Sequence, residues 1–412
     1  MTVANQPIRF ENSRLNRIAD WMQSYVDSRK YPGCSTLIHN DGSEAWFHAI
    51  GLRNVEEHLP FTRDTVVRIY SMTKPVTSVA LLMQMEQGLF HLDAPVSEFI
   101  PEFSDCTVLI PNAQRLDQTE PCAVPTLHQL LTHTSGLSYS FNPGLLPGAY
   151  EAQELDFNPG QGALADMVAK VAGLPLAFRP GSKWEYSVGI DIIGRVIEVV
   201  AGKPLGQVFA ETLFEPLGMT ETGFQTPSGA GDRFASLYTP LAGDAMVPGN
   251  TEQSNNPLYR SDDYTRSSFH RTGMHSGGGG LLGTIDDYMR FAEMLRCGGT
   301  AGSERLLSPR TVDFMMRNHL PGDIASMGPS SFAEQPMEGV GFGLGGAVVL
   351  DPARARCPGN VGDFSWGGMA STFFWIDRVL DLSVVFFTQL LPSSTYPSRA
   401  QLKALVHGAV LS

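Results

Sequence analysis

In this chain of 412 residues, Ser71-Met72-Thr73-Lys74 places two chemically active side chains one helical turn apart. Residues three apart on a helix share a face, so a hydroxyl at 71 and an amine at 74 can meet. A neutral lysine amine can remove the serine proton as the oxygen attacks a carbonyl carbon, provided burial and neighbouring cations favour the uncharged form. The pattern alone is weak: with 33 serines and 6 lysines, a bare Ser-x-x-Lys arises roughly 0.5 times by chance. Context strengthens it. Lys74 is the only lysine between Lys30 and Lys170 and stands inside an apolar run, where a solvated surface lysine fits badly.

The element that must carry this pair is a central helix. Met72, Val76, Val79, Ala80 and Met83 recur at helical spacing, and Leu81, Leu82 and Met85 widen the stripe until little polar face remains. Pro75 is tolerated only in a first turn and Gly88 suits a left-handed stop, so the helix begins close to Ser71. The serine hydroxyl then lies in the positive field of the helix start. A short strand, Thr65 to Ile69, leads into it.

Further along, Lys183-Trp184-Glu185-Tyr186-Ser187 precedes a helix from Gly189 with Ile190, Ile193, Ile197 and Val200 on one stripe. The phenol of Tyr186 in that loop is placed to relay a proton between nucleophile, leaving group and lysine, although a lone tyrosine is more often structural. His133 beside Ser135 invites a His–Ser reading. Adjacent residues aim poorly at one substrate atom, so His133 is expected to bond loop backbone near the end of a short helix in Leu127 to Leu137.

The ends of the chain supply the frame. An amphipathic helix, Asn12 to Lys30, capped by Asn12 or Ser13, is followed by strands Cys34 to Asn40 and Glu44 to Ile50, joined through Asn40-Asp41-Gly42-Ser43. Near the other end, Gly346 to Leu350, Gly362 to Trp366, Ser371 to Ile376 and Leu382 to Thr388 read as antiparallel strands, closed by a helix from Pro397 to Leu411. The expected class is α+β: an antiparallel sheet flanked by helices and built from both chain ends. Residues 1–70 and 281–412 form the sheet domain, 71–280 an inserted, mostly helical domain, and the active site lies at their interface. Segments 141–162 and 226–276 read as long loops, either candidate walls of a substrate pocket or flexible surface insertions.

Composition narrows the function. A net charge of -13 argues against nucleic acid or an anionic membrane as partner and leaves small neutral substrates. Met1 to Pro7 has no basic start followed by an apolar run, and five scattered cysteines without C-x-x-C spacing suit free thiols, so a cytoplasmic location is expected. Gly278 to Gly283 and Gly341 to Gly346 match G-x-G-x-x-G but lack the strand-turn-helix setting and downstream acid of a nucleotide site. No G-x-S-x-G, H-E-x-x-H or P-loop pattern occurs, and neither metal nor cofactor is expected.

Taken together, the chain resembles the serine β-lactamase and penicillin-binding-protein superfamily in its class C-like branch, and most of all the family VIII carboxylesterases and the acyltransferases that load side chains onto statin-type polyketides. Ser71-Met72-Thr73-Lys74 resembles the first motif, Tyr186-Ser187-Val188 stands in the place of the second, and Trp366-Gly367-Gly368 resembles the esterase form of the third. Leu130 to Leu137 and Pro216-Leu217-Gly218-Met219 are also similar to the family. The resemblance implies Ser71 as nucleophile, Lys74 as general base, Tyr186 as proton shuttle, the N–H groups of Ser71 and Met369 as oxyanion hole, and Trp366, Gly367 and Gly368 as substrate-binding residues. Val188 replaces the asparagine and Trp366 the lysine of the β-lactamase motifs, removing groups that hold a β-lactam amide and carboxylate. A serine esterase of small to medium acyl groups is expected, acting on an ester or acyl thioester; an acyltransferase to an alcohol acceptor and a weak β-lactamase or amide hydrolase are the alternatives.

Overall fold

A computed structural model describes residues 8–160, 162–243 and 250–411. Met1 to Pro7, Gln161 and part of the 226–276 segment lie outside the described residues.

Eight strands form one antiparallel sheet, and both chain ends supply them. In chain order they are β1 (Gly33–Asn40), β2 (Ser43–Asn54), β3 (Leu59–Pro60), β4 (Val340–Phe342), β5 (Ala347–Val349), β6 (Phe364–Gly367), β7 (Phe373–Asp377) and β8 (Leu382–Thr388). Across the sheet the order is β4-β5-β6-β7-β8-β1-β2-β3, so the first and last parts of the chain join where Leu37 faces Val385. Strand side chains alternate between faces. Accordingly Leu37, Val385 and Phe387 enter one core while Ile38, Val384 and Phe386 enter the other.

Helices cover both faces. On one lie α1 (Asn12–Asp27), through Leu15, Ile18 and Met22, and the C-terminal α5 (Ser398–Ala409), through Leu402 and Val406. On the other, Tyr288 of α4 (Ile285–Arg296) packs edge-on against Phe374 and Phe387. Between the sheet segments run α2 (Thr73–Glu86) and α3 (Gly189–Ala201), which pack together. α2 is buried from Thr73 through Leu82, as its all-round apolar pattern requires.

Several expectations need correction. α1 ends at Asp27 and is entered through Glu11, with no side-chain cap; Ser13 instead donates to the Glu11 carboxylate at 2.5 Å. The strand before Ser71 is only Val67–Arg68, because Ile69 and Tyr70 already turn towards the helix. Residues 141–162 contain a helix, Leu145–Gln153, whose Gly144 and Pro147 mark its start; both read from sequence as loop residues. Leu237–Thr239 and Tyr259–Asp262 pair within the second supposed loop. Gly341-Phe342 lies in an edge strand that its glycines conceal.

Arg68 ties that second segment to the approach to Ser71. Its fully buried guanidinium donates to Asp262 at 2.5 Å and to the Ala235 carbonyl at 2.6 Å, and stacks 4.1 Å over Phe234. Removing Arg68 takes a large, fully buried side chain from beside Phe234 and leaves the Ala235 carbonyl without that donor, while the half-buried Asp262 keeps the Ser267 hydroxyl. Arg68→Ala is therefore expected to destabilise the fold by about 3 kcal/mol, read as a lower urea midpoint; an unchanged midpoint would contradict the assignment.

Candidate active site

Ser71 is the middle residue of a 3₁₀ turn, Tyr70–Met72, that runs directly into α2. Tyr70 before it has φ 42°, a left-handed conformation that persists only where its surroundings hold it. The turn leaves Ser71 partly exposed while Lys74, one turn on, is fully buried.

Burying a lysine requires oxygen partners for its N–H groups. Lys74 Nζ has three: Ser71 Oγ at 3.3 Å, Tyr139 Oη at 3.0 Å and the Gly278 carbonyl at 2.7 Å. It also lies 4.5 Å from the centre of the Tyr186 ring. The expected Ser–Lys pair is thus in contact, with Tyr186 beside it.

Two of these partners went unrecognised in the sequence. Tyr139 follows the short helix as one aromatic among many, with no spacing to mark it. Burial, reinforced by the charge of Asp191, raises its phenol well above the usual tyrosine range, so it remains a neutral hydroxyl. Gly278 belongs to the glycine run that failed as a nucleotide motif, and its purpose here is close approach. Asp191 Oδ1 accepts the Gly278 N–H at 3.0 Å and the Ser276 hydroxyl at 2.5 Å, and a Cβ on Gly278 would lie 2.3 Å from Asp191 Oδ2. Asp191 is the lone acid among the buried residues of α3, a signal that sequence reading passed over. Burial raises its pKa and the charge of Lys74 pulls it back, so the group coupled to the lysine is a carboxyl where a cation was expected.

Tyr186 is held from both sides. Trp366 Nε1 on β6 reaches its hydroxyl at 3.4 Å, and its ring meets His133 at 4.7 Å and Phe332 at 5.0 Å. His133 bonds loop backbone as expected, but the loop is that of Tyr186: its Nδ1 accepts the Ser187 N–H at 3.3 Å and lies 3.1 Å from the Ser187 hydroxyl. Burial, then Lys74, holds His133 well below the normal histidine pKa, which suits a neutral, positioning ring.

The end of β6 completes the cleft. Gly368 packs so tightly under Ile69 that a Cβ there would be 2.3 Å from the Ile69 carbonyl oxygen. No protein acceptor is found among the described residues for the backbone N–H of Ser71 or of Met369. A cleft of about 390 Å³ is lined by Ser71, Tyr186, Trp366, Gly367, Gly368 and Met369 together. Phe141 from one supposed loop and Leu241 and Asn250 from the other also line it, as expected of pocket walls. The two cations on its wall, Arg399 and Lys403, are paired with Glu334 at 2.8 Å and Asp363 at 2.9 Å.

Residues 18–408 match the family described as Beta-lactamase. The chain belongs to the Beta-lactamase family. Among its relatives, esterase EstB of Burkholderia gladioli is 32% identical over 91% of this chain and 90% of its own length. Lovastatin esterase of Penicillium rubens is 31% identical over 86% of this chain and 88% of its own. Of solved structures, EstCE1, a hydrolase with promiscuous acyltransferase activity, superimposes with a TM-score of 0.78 at 28% identity, covering 96% of this chain and 99% of its own. The expected fold and enzyme class, a serine hydrolase of this family, hold. All five cysteines are unpaired, and no helix among the described residues is long and apolar enough to cross a membrane.

Tyr139→Phe keeps the ring but removes one of the three oxygens around Lys74. It is expected to lower kcat/KM for a small ester by about 10²-fold while leaving Tm nearly unchanged. Wild-type turnover would reduce Tyr139 to packing.

Proposed function

We propose that this Beta-lactamase-family chain is a serine carboxylesterase of the family VIII type, hydrolysing esters of small to medium acyl groups through an acyl-enzyme on Ser71. The reading is carried by Ser71 Oγ, 3.3 Å from the buried Lys74 amine, opening into an aromatic cleft beside Tyr186 and the Trp366-Gly367-Gly368 strand end.

In acylation the Lys74 amine takes the Ser71 proton while an N–H still donates to the Gly278 carbonyl. The oxygen adds to the ester carbonyl, and the N–H groups of Ser71 and Met369 receive the developing oxyanion, each such donor being worth about 10²–10³ in rate. The tetrahedral intermediate collapses as Tyr186 passes a proton to the departing alcohol and regains one from Lys74. In deacylation water enters the alcohol's place and the proton path reverses.

Ester specificity is favoured over β-lactams because Trp366 and Val188 offer neither the cation nor the amide of the lactamase motifs. Arg399 and Lys403 are already paired with Glu334 and Asp363, so among the described residues of the cleft a substrate carboxylate meets no unpaired cation. Acyl transfer uses the same residues, and a cleft of about 390 Å³ has room for an alcohol in place of water. We take residues 1–70 with 281–412 as one domain and 71–280 as the other, with the cleft between them, and place the protein in the cytoplasm, where unpaired thiols persist.

Ser71→Ala is expected to reduce p-nitrophenyl butyrate hydrolysis by about 10³-fold or more; wild-type activity in that variant would refute the reading. Offering an acyl thioester with candidate alcohols and measuring the ratio of ester to free acid decides between the two fates: mostly acid supports the esterase, mostly ester the acyltransferase.

A further inference from the structure

One wall of the cleft is a small hairpin fastened from outside. Ser331–Phe332 and Gln335–Pro336 pair through only two residue couples, a ladder too short to be stable alone. Its tip, Ala333 and Glu334, has φ of 46° and 61°, a left-handed conformation at two successive residues that carry a Cβ. Such a tip needs an external hold, and Arg399 of α5 supplies it. The guanidinium donates to the Ala333 carbonyl at 3.0 Å and to both Glu334 carboxylate oxygens at 2.9 and 2.8 Å, with both side chains only 10% exposed. The same guanidinium lies against β6, where a Cβ on Gly367 would sit 2.6 Å from Nη2.

The hairpin thereby presents one side chain to the site. The Phe332 ring stacks on Trp366 at 5.8 Å with 13° between planes and meets Tyr186 at 5.0 Å. Phe332, Ala333, Gln335 and Pro336 all line the cleft that holds Ser71.

We propose that this hairpin is the alcohol-selecting wall of the enzyme: Phe332 limits the size of the alcohol that leaves or accepts the acyl group, and Arg399 with Glu334 are positioning residues that hold Phe332 in place. The inference rests on the esterase reading and on Tyr186 as the proton donor. The leaving oxygen must reach the Tyr186 hydroxyl, so the alcohol's substituent passes the rings packed around Tyr186, Phe332 among them. By microscopic reversibility an accepting alcohol takes the same path inward, and both selections share one wall. On this proposal the acyl group, bound to Ser71, keeps its own place in the cleft in both steps, and its length is not read by Phe332.

The test compares wild type, Phe332→Ala, Glu334→Ala and Glu334→Gln on two series: butyrate esters of methyl, benzyl and naphthyl alcohols, and p-nitrophenyl esters from acetyl to octanoyl. Phe332→Ala is expected to raise kcat/KM for naphthyl relative to methyl butyrate by about tenfold, with the octanoyl-to-acetyl ratio moving less than about twofold. Glu334→Ala follows in the same direction, and Glu334→Gln, which keeps length and one acceptor, shifts less. In transfer assays the preferred acceptor should change in parallel with the preferred leaving alcohol. A shift confined to the acyl series, or equal in both, overturns the proposal, as does an unchanged alcohol ratio in a folded Phe332→Ala or Glu334→Ala. Methyl butyrate turnover by wild type separates the two levels: if it is present and Ser71-dependent, only the wall is on trial, and if absent, both readings fall.

Discussion

The structure depends on burying the Lys74 amine one turn into a helix. An amine with no exposed surface costs several kcal/mol unless its donors are met, and three oxygens from three separate segments meet them here. That demand organises the neighbourhood. Gly278 has no room for a Cβ beside Asp191 and brings its carbonyl within 2.7 Å of Nζ, and Asp191, from the first turn of α3, holds this segment through Ser276 and Gly278. Among the three oxygens, Ser71 Oγ is the one that faces the cleft and can react.

Several strands of the large sheet line the cleft, and the end of β6 is the part that lies against the nucleophile turn. Its role is proximity: the Gly368 Cα against the Ile69 carbonyl brings Met369 to the same cleft as the nucleophile turn. A side chain at 368 would push these apart, so the glycine is a geometric requirement of the site. Trp366, two residues earlier, faces Tyr186, because alternation along the strand sends Ser365 and Gly367 to the opposite side. Both motif residues are therefore consequences of one strand's register, fixed by its pairing of Trp366 with Phe374 and of Gly367 with Phe373.

How much of this was legible follows from how local each signal is. Ser71 and Lys74 lie one turn apart, and a one-turn spacing survives any tertiary arrangement, so the pair could be read directly. The strands from Leu382 to Thr388 and from Cys34 to Asn40 carry dense apolar and β-branched runs and were equally plain. Tyr139, Gly278 and Phe332 were not, because each matters only through a contact with a residue far off in the chain. Asp191 was an intermediate case: a lone carboxylate in an otherwise apolar stretch of helix signals a specific partner, but names neither Ser276 nor Gly278. The helix at Leu145–Gln153 was missed for a local reason, since glycine and proline mark helix starts as well as loops.

The central claim is that Lys74 makes Ser71 a nucleophile, and covalent labelling tests it without reference to any natural substrate. Wild type and Lys74→Met, both checked for native circular dichroism, are treated with a fluorophosphonate and followed by intact mass and peptide mapping. The account predicts one adduct per wild-type chain, located on Ser71, and labelling of Lys74→Met slowed by about 10³-fold or more. Equal labelling rates at Ser71 in the two proteins, or an adduct elsewhere, would contradict it.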